Sequence, residues 1–120
     1  MVIKMTDLTC LEICKRIAEI EGIDAKIMPY SKKILYAKYD KEGVRTPYNP
    51  LTDDALCFQL MIDHGIVVFH RYENDVLICW AEHADGTGQI GKVIHAPAGT
   101  DREAVKHCGC LAIIEAHKND

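Results

Sequence analysis

The run His107-Cys108-Gly109-Cys110 holds the densest set of metal-ligating and nucleophilic side chains in this sequence. A structural zinc site needs four ligands, usually supplied as two closely spaced pairs. On a helix, two residues separated by one point about 200° apart, given 3.6 residues per turn. The thiols of Cys108 and Cys110 therefore do not converge on one ion and read as buried core thiols. Cys10 and Cys14 lie one helical turn apart and can share an ion, but no matching second pair accompanies them. A cysteine–histidine nucleophile pair is the other chemistry these residues allow. Its partners meet only in space, and no local signature carries it. A cysteine- or metal-dependent enzyme thus remains a third alternative to the two binding readings below, and no cofactor is expected.

Asp85-Gly86-Thr87-Gly88-Gln89-Ile90-Gly91 is glycine-rich like a phosphate cradle. It lacks the Gly-Lys-Ser/Thr of a nucleotide-binding P-loop and does not open a helix, so it reads as a hairpin loop. Two further groups suit recognition. Lys26, Lys32, Lys33, Lys38, Lys41 and Arg45 interleave with Tyr30, Tyr36 and Tyr39. That mixture fits single-stranded nucleic acid, a nucleotide or an acidic protein surface; it fits better still an edge hairpin whose lysines block aggregation. From it we take Lys32, Lys33, Tyr36, Lys38 and Arg45 as candidate partner-binding residues. The second group is Arg45, Tyr48, Asn49, Trp80 and His83, which would form a ligand pocket with Arg45 meeting phosphate and an aromatic ring stacking a base.

The elements that must position these residues follow from periodicity and caps. Thr9 and Glu12 form a capping box at the head of a helix over 9–21. Cys10, Ile13, Cys14, Ile17 and Ile20 mark its apolar face, and Gly22 stops it. A hairpin follows, with strands over 25–28 and 33–39. A loop over 40–49 contains Gly43 and Pro47 and runs into Asn49-Pro50. A second helix is expected over 52–64, capped by Thr52, with apolar residues around most of its circumference. That breadth implies burial on more than one side, or a dimer interface. Strands are expected over 66–70 and 76–81, joined by the loop 72–75, with a further strand over 89–95. Thr100 and Glu103 predict a second capping box for the last helix. Gly109 inside that helix costs about 1 kcal/mol relative to alanine, which implies close approach of a neighbouring element.

The order α-β-β-α-β-β-(β)-α, with short turns between strand pairs, predicts an α+β fold. A mostly antiparallel sheet of four or five strands would pack with three helices. The chain has 120 residues, is 48% hydrophobic and 27% charged, and reads as one domain. Its mean hydropathy of −0.07 excludes a disordered or fibrous chain. No apolar run approaches the roughly 20 residues of a membrane span. The first residues carry no signal-peptide core, so a cytoplasmic location and reduced cysteines are expected. The net charge of −4 argues against a dedicated duplex DNA binder. It is uneven: residues 1–45 are net basic and 46–100 strongly acidic.

Tyr48-Asn49-Pro50-Leu51-Thr52-Asp53-Asp54 before a helix, two strands with Trp80, and a closing Cys110-Leu111-Ala112-Ile113-Ile114-Glu115-Ala116 together resemble small phage and prophage proteins of the phage ABA-sandwich type. The match spans roughly residues 48–117. The resemblance implies an α/β sandwich and a phage or prophage origin, in the cytoplasm of a bacterial host. It brings no catalytic residues, and the basic hairpin is outside the matching pattern. The leading expectation is a non-enzymatic accessory protein that binds a host or phage macromolecule, a protein above all. The alternative is a nucleotide-signal binder that counters host defence. Nucleotide and single-stranded nucleic acid remain candidate ligands; a membrane does not. A homo-oligomer is compatible with the apolar second helix.

Overall fold

The computed structural model describes residues 9–27, 35–36 and 47–118. Along the chain these form α1 (Cys10–Ile20), β1 (Lys26–Ile27), β2 (Leu35–Tyr36), α2 (Asp54–Asp63), β3 (Ile66–Glu73), β4 (Val76–His83), β5 (Gln89–Pro97) and α3 (Asp101–Ala116). The fold is α+β, but its sheet is smaller than the four or five strands expected. Among the described residues β3, β4 and β5 form one three-stranded antiparallel sheet, while β1 and β2 make a separate two-stranded ladder. Two-residue strands offer few ladder hydrogen bonds, and the sequence pattern could not show whether they join the main sheet.

The hairpin β3–β4 is tighter than the sequence implied. The strands run through Glu73 and Val76, leaving Asn74 and Asp75 as a two-residue turn with φ of 48° and 65°. Positive φ at both turn positions matches the twist of the flanking strands, and Asn and Asp tolerate it best after glycine. Between β4 and β5 the loop 84–88 is fastened by Asp85, whose carboxylate accepts from the backbone amide (3.0 Å) and hydroxyl (2.7 Å) of Thr87.

Helix α3 is the central element. It packs on all three strands and on both other helices. Its residues Cys108, Gly109, Cys110, Leu111, Ala112, Ile113 and Ile114 are buried without interruption, because the sheet covers one side and α1 and α2 the other. Gly109 has the reason expected of it. A Cβ built there would lie 2.5 Å from Met61 Sδ, so the absent side chain lets α2 approach α3. Cys108 and Cys110 do diverge: burial beside Cys79 raises the Cys108 thiol to about 12, while Cys110 lies against Cys57.

Three local expectations need correction. Helix α2 is capped by Asp53, whose carboxylate accepts from Leu56 N at 3.1 Å, and not by Thr52. Thr52 belongs to the turn that Asn49 and Pro50 initiate, where its amide donates to the Asn49 carbonyl (3.1 Å). The second capping box does not form; the Thr100 hydroxyl instead donates to the Pro97 carbonyl at 2.6 Å. Nor is α2 buried on several sides. Cys57 and Leu60 are buried, but Phe58 is 62% exposed and Ile62 57%, because among the described elements α2 packs only on α3 and β3. The capping box of Thr9 and Glu12 forms in full.

Candidate functional site

Side chains alternate across a strand, and α2 and α3 pack on one face of the sheet, with α1 packed on α3. Leu77, Cys79 and Ala81 of β4 point into the core, each fully buried. The intervening residues therefore project from the opposite face, over which no described helix lies. Its centre is a cross-strand pair. Phe69 on β3 faces Trp80 on β4, with ring centroids 5.7 Å apart and planes inclined by 18°. The Arg71 guanidinium stands over the indole, 5.5 Å from its centroid, and donates through Nε (3.2 Å) and Nη2 (3.0 Å) to Glu73. Trp80 Nε1 donates to Glu82 at 2.8 Å. Both charged partners thus hold the aromatic pair in place from its two ends. Val67, Val76 and Val93, each about two-fifths exposed, extend the apolar area, and Ile78 fills its floor. A shallow concavity of about 210 Å³ lies among Arg71, Ile78, Trp80, Gln89 and Val93.

Of the five residues expected to form a ligand pocket, the four that are described do not come together. Trp80 is on the open face. Tyr48 is buried in the helix-side core, and Asn49 beside it accepts from Cys14 Sγ (3.2 Å) and Leu51 N (3.1 Å). Burial raises the Tyr48 phenol and holds the Cys14 thiol at about 11. These two residues pin the loop before α2 onto α1. His83 is exposed at the end of β4. Arg45 lies outside the described residues, as do Lys32, Lys33 and Lys38, while Tyr36 falls in β2. The stretch with the glycines ends β4 and starts β5 as a hairpin loop, as expected.

No known protein family matches this chain, and none of the curated proteins is significantly similar to it. The site must therefore be judged on its own geometry. Among the described residues no group of three or more His, Cys, Asp or Glu side chains is placed to hold a metal ion. No helix among them is long and apolar enough to cross a membrane.

Sequence reading missed two arrangements. On β3, Val67, Phe69, Arg71 and Glu73 alternate as apolar, aromatic, cationic and anionic positions. With the two-residue turn recognised, the register would have placed Phe69 opposite Trp80. The other arrangement is a hydrogen-bonded chain from Glu21 through His64 to His117. Each of these residues ends one of the three helices, which no local pattern announces.

Proposed function

We propose that this protein is a non-enzymatic binding module that docks a protein partner on the open face of its sheet. The observation that carries the reading is the Phe69–Trp80 stack beneath Arg71, centred in an apolar area over which no described helix lies. Tryptophan, tyrosine and arginine dominate the residues that carry binding energy in protein interfaces, and those residues cluster near the centre of the patch. Contiguous exposed apolar area of this kind marks interaction surfaces. The charged groups at its margin, Arg71, Glu73 and Glu82, give the polar rim such surfaces have. The acidic character of residues 46–100 disfavours nucleic acid on the same face. The resemblance to phage sandwich proteins makes a host or phage protein in the bacterial cytoplasm the partner to seek. Lys32, Lys33, Lys38 and Arg45 then supply long-range attraction to an acidic partner surface.

A nucleotide ligand is the second reading, favoured by the arginine placed over an indole. A concavity of about 210 Å³ is smaller than the ~300–1,000 Å³ typical of small-molecule sites, so the flat surface of a protein fits better.

The test uses immobilised protein and lysate of candidate bacterial hosts. Proteins held by the wild type and by Phe58→Ala, but lost by Phe69→Ala and Trp80→Ala, are partners of this face. Equal retention by all four overturns the assignment. Trp80 is the only tryptophan, so its emission reports occupancy of the face directly. A purified partner must shift it, whereas quenching by millimolar nucleotides would favour the second reading.

A further inference from the structure

Between α2 and α3 runs a second groove of about 500 Å³, walled by Phe58, Met61, Val105, Lys106 and Cys57. Behind Cys57 lies Cys110, with the two sulfurs 4.0 Å apart. We propose that Cys57 and Cys110 are an oxidation-sensitive pair, which hydrogen peroxide entering this groove converts to a disulfide linking α2 to α3.

Three features of the site support this. The sulfurs must close from 4.0 Å to about 2.05 Å. The helices carrying them already approach closely, since the absent side chain of Gly109 seats Met61. The Lys106 ammonium is fixed at this point, donating to Asp54 at 2.5 Å with its side chain 11% exposed. A thiol becomes nucleophilic as thiolate, and a neighbouring cation favours that form. Finally, the pair is asymmetric. Donation from Cys110, then the charge of Lys106, pulls the Cys57 thiol below its ordinary range, while the same contact and burial push Cys110 up. Cys57 borders the groove and Cys110 lies behind it, fully buried, so Cys57 is the sulfur that a reagent in the groove meets first and Cys110 the resolving one.

In the first step Cys57 sulfur attacks one peroxide oxygen. An S–O bond forms and the O–O bond breaks. The departing hydroxide takes a proton and leaves as water, with Cys57 a sulfenic acid. In the second, Cys110 sulfur attacks Cys57 sulfur. The S–S bond forms, the S–O bond breaks, and hydroxide leaves as water with the Cys110 proton. Two thiols and one peroxide yield one disulfide and two waters. Among the described residues no other two sulfurs are in such contact: Cys14 donates to Asn49, and Cys10 is exposed.

The experiment uses the full chain carrying Cys10→Ser, which removes the exposed thiol without touching the core. After treatment with hydrogen peroxide, the intact mass should fall by two hydrogens. Unreduced peptide mapping should find Cys57 joined to Cys110. Adding Cys110→Ser should abolish the link and leave a sulfenic acid on Cys57 that dimedone traps. Oxygen addition without a link, a link between another pair, or Cys57 and Cys110 both still free after the methionines have oxidised would overturn the proposal. The mapping on Cys10→Ser decides the matter even if the second variant fails to fold.

Discussion

His64 Nδ1 and His117 Nε2 lie 3.0 Å apart, joining the residue that ends α2 to the residue that ends α3. The other nitrogen of His64 lies 2.9 Å from Glu21 Oε2, and Glu21 ends α1. A carboxylate accepts only, so His64 donates from Nε2, and its Nδ1 is hydrogen-bonded to His117 Nε2. One imidazole thus ties three helix C-termini, where unpaired carbonyls favour positively polarised groups. Replacing His64 by alanine removes both hydrogen bonds and leaves the Glu21 carboxylate without this donor in a half-buried site. The expected cost is about 1–3 kcal/mol, read as a lower urea midpoint. His64→Gln should recover part of it, since glutamine can still donate and accept.

Met61 on α2 sits where a side chain at Gly109 on α3 would stand, its Sδ 2.5 Å from the position of a Cβ there. Gly109→Ala gains helix propensity of about 1 kcal/mol but crowds the Met61 thioether, at a cost of about 1–3 kcal/mol. A net loss of stability is expected in the wild type. In a Met61→Ala background the same substitution should stabilise. A double-mutant cycle by urea unfolding should therefore give a coupling of at least ~0.5 kcal/mol; additivity would place the helices further apart than the structure does.

Acid should weaken the fold in two stages. Burial holds the His107 imidazole below its ordinary value, so the unfolded chain takes up that proton first. This stability is complete above about pH 6.5, the unperturbed histidine value, and is lost as pH falls through the lower folded value. Asp54 is depressed by donation from Lys106, and Asp85 by Thr87. Their contribution is present above about pH 3.9, the unperturbed aspartate value, and is lost on further acidification. Urea midpoints at pH 7.5, 5.5 and 3.5 should step down twice. His107→Gln should flatten the first step, and Asp54→Asn should reduce the second.

The two helix starts that share a sequence pattern should respond differently. Thr9→Ala removes a formed capping box and should cost about 1 kcal/mol. Thr100→Ala breaks only an exposed bond to the Pro97 carbonyl and should cost less than half as much. Thermal unfolding of the two variants compares them directly.

That contrast indicates what was legible before the structure. Helix α1, the strands around Trp80 and the close approach at Gly109 follow from local rules: a capping box, β-branched runs, a glycine inside a helix. Thr100 has the same three-residue spacing to a glutamate as Thr9, yet the chain leaving Pro97 turns it away from the helix. Local pattern also could not tell which face of the sheet the helices cover. Trp80 and Tyr48 looked equally available as aromatic platforms, and only the packing of α3 separates them. The chain Glu21–His64–His117 depends on three helices ending at one place, a property of the assembled fold.

Tyr48 supplies the sharpest test of that separation. Its hydroxyl is buried with no hydrogen-bond partner among the described residues. A hydroxyl in that position costs its desolvation, about 1–3 kcal/mol, whereas one that meets a ligand would be retained for binding. Tyr48→Phe keeps the ring and removes only the oxygen. If the side chain is a core strut, the variant should unfold at an equal or higher temperature and hold every partner that the wild type holds. Trp80→Ala should do the reverse, with little change in melting temperature and loss of the partner. A Tyr48→Phe variant that melts earlier would mean that its hydroxyl is satisfied in solution. One that keeps its stability but loses binding would move the functional surface from the open sheet face to the helix side.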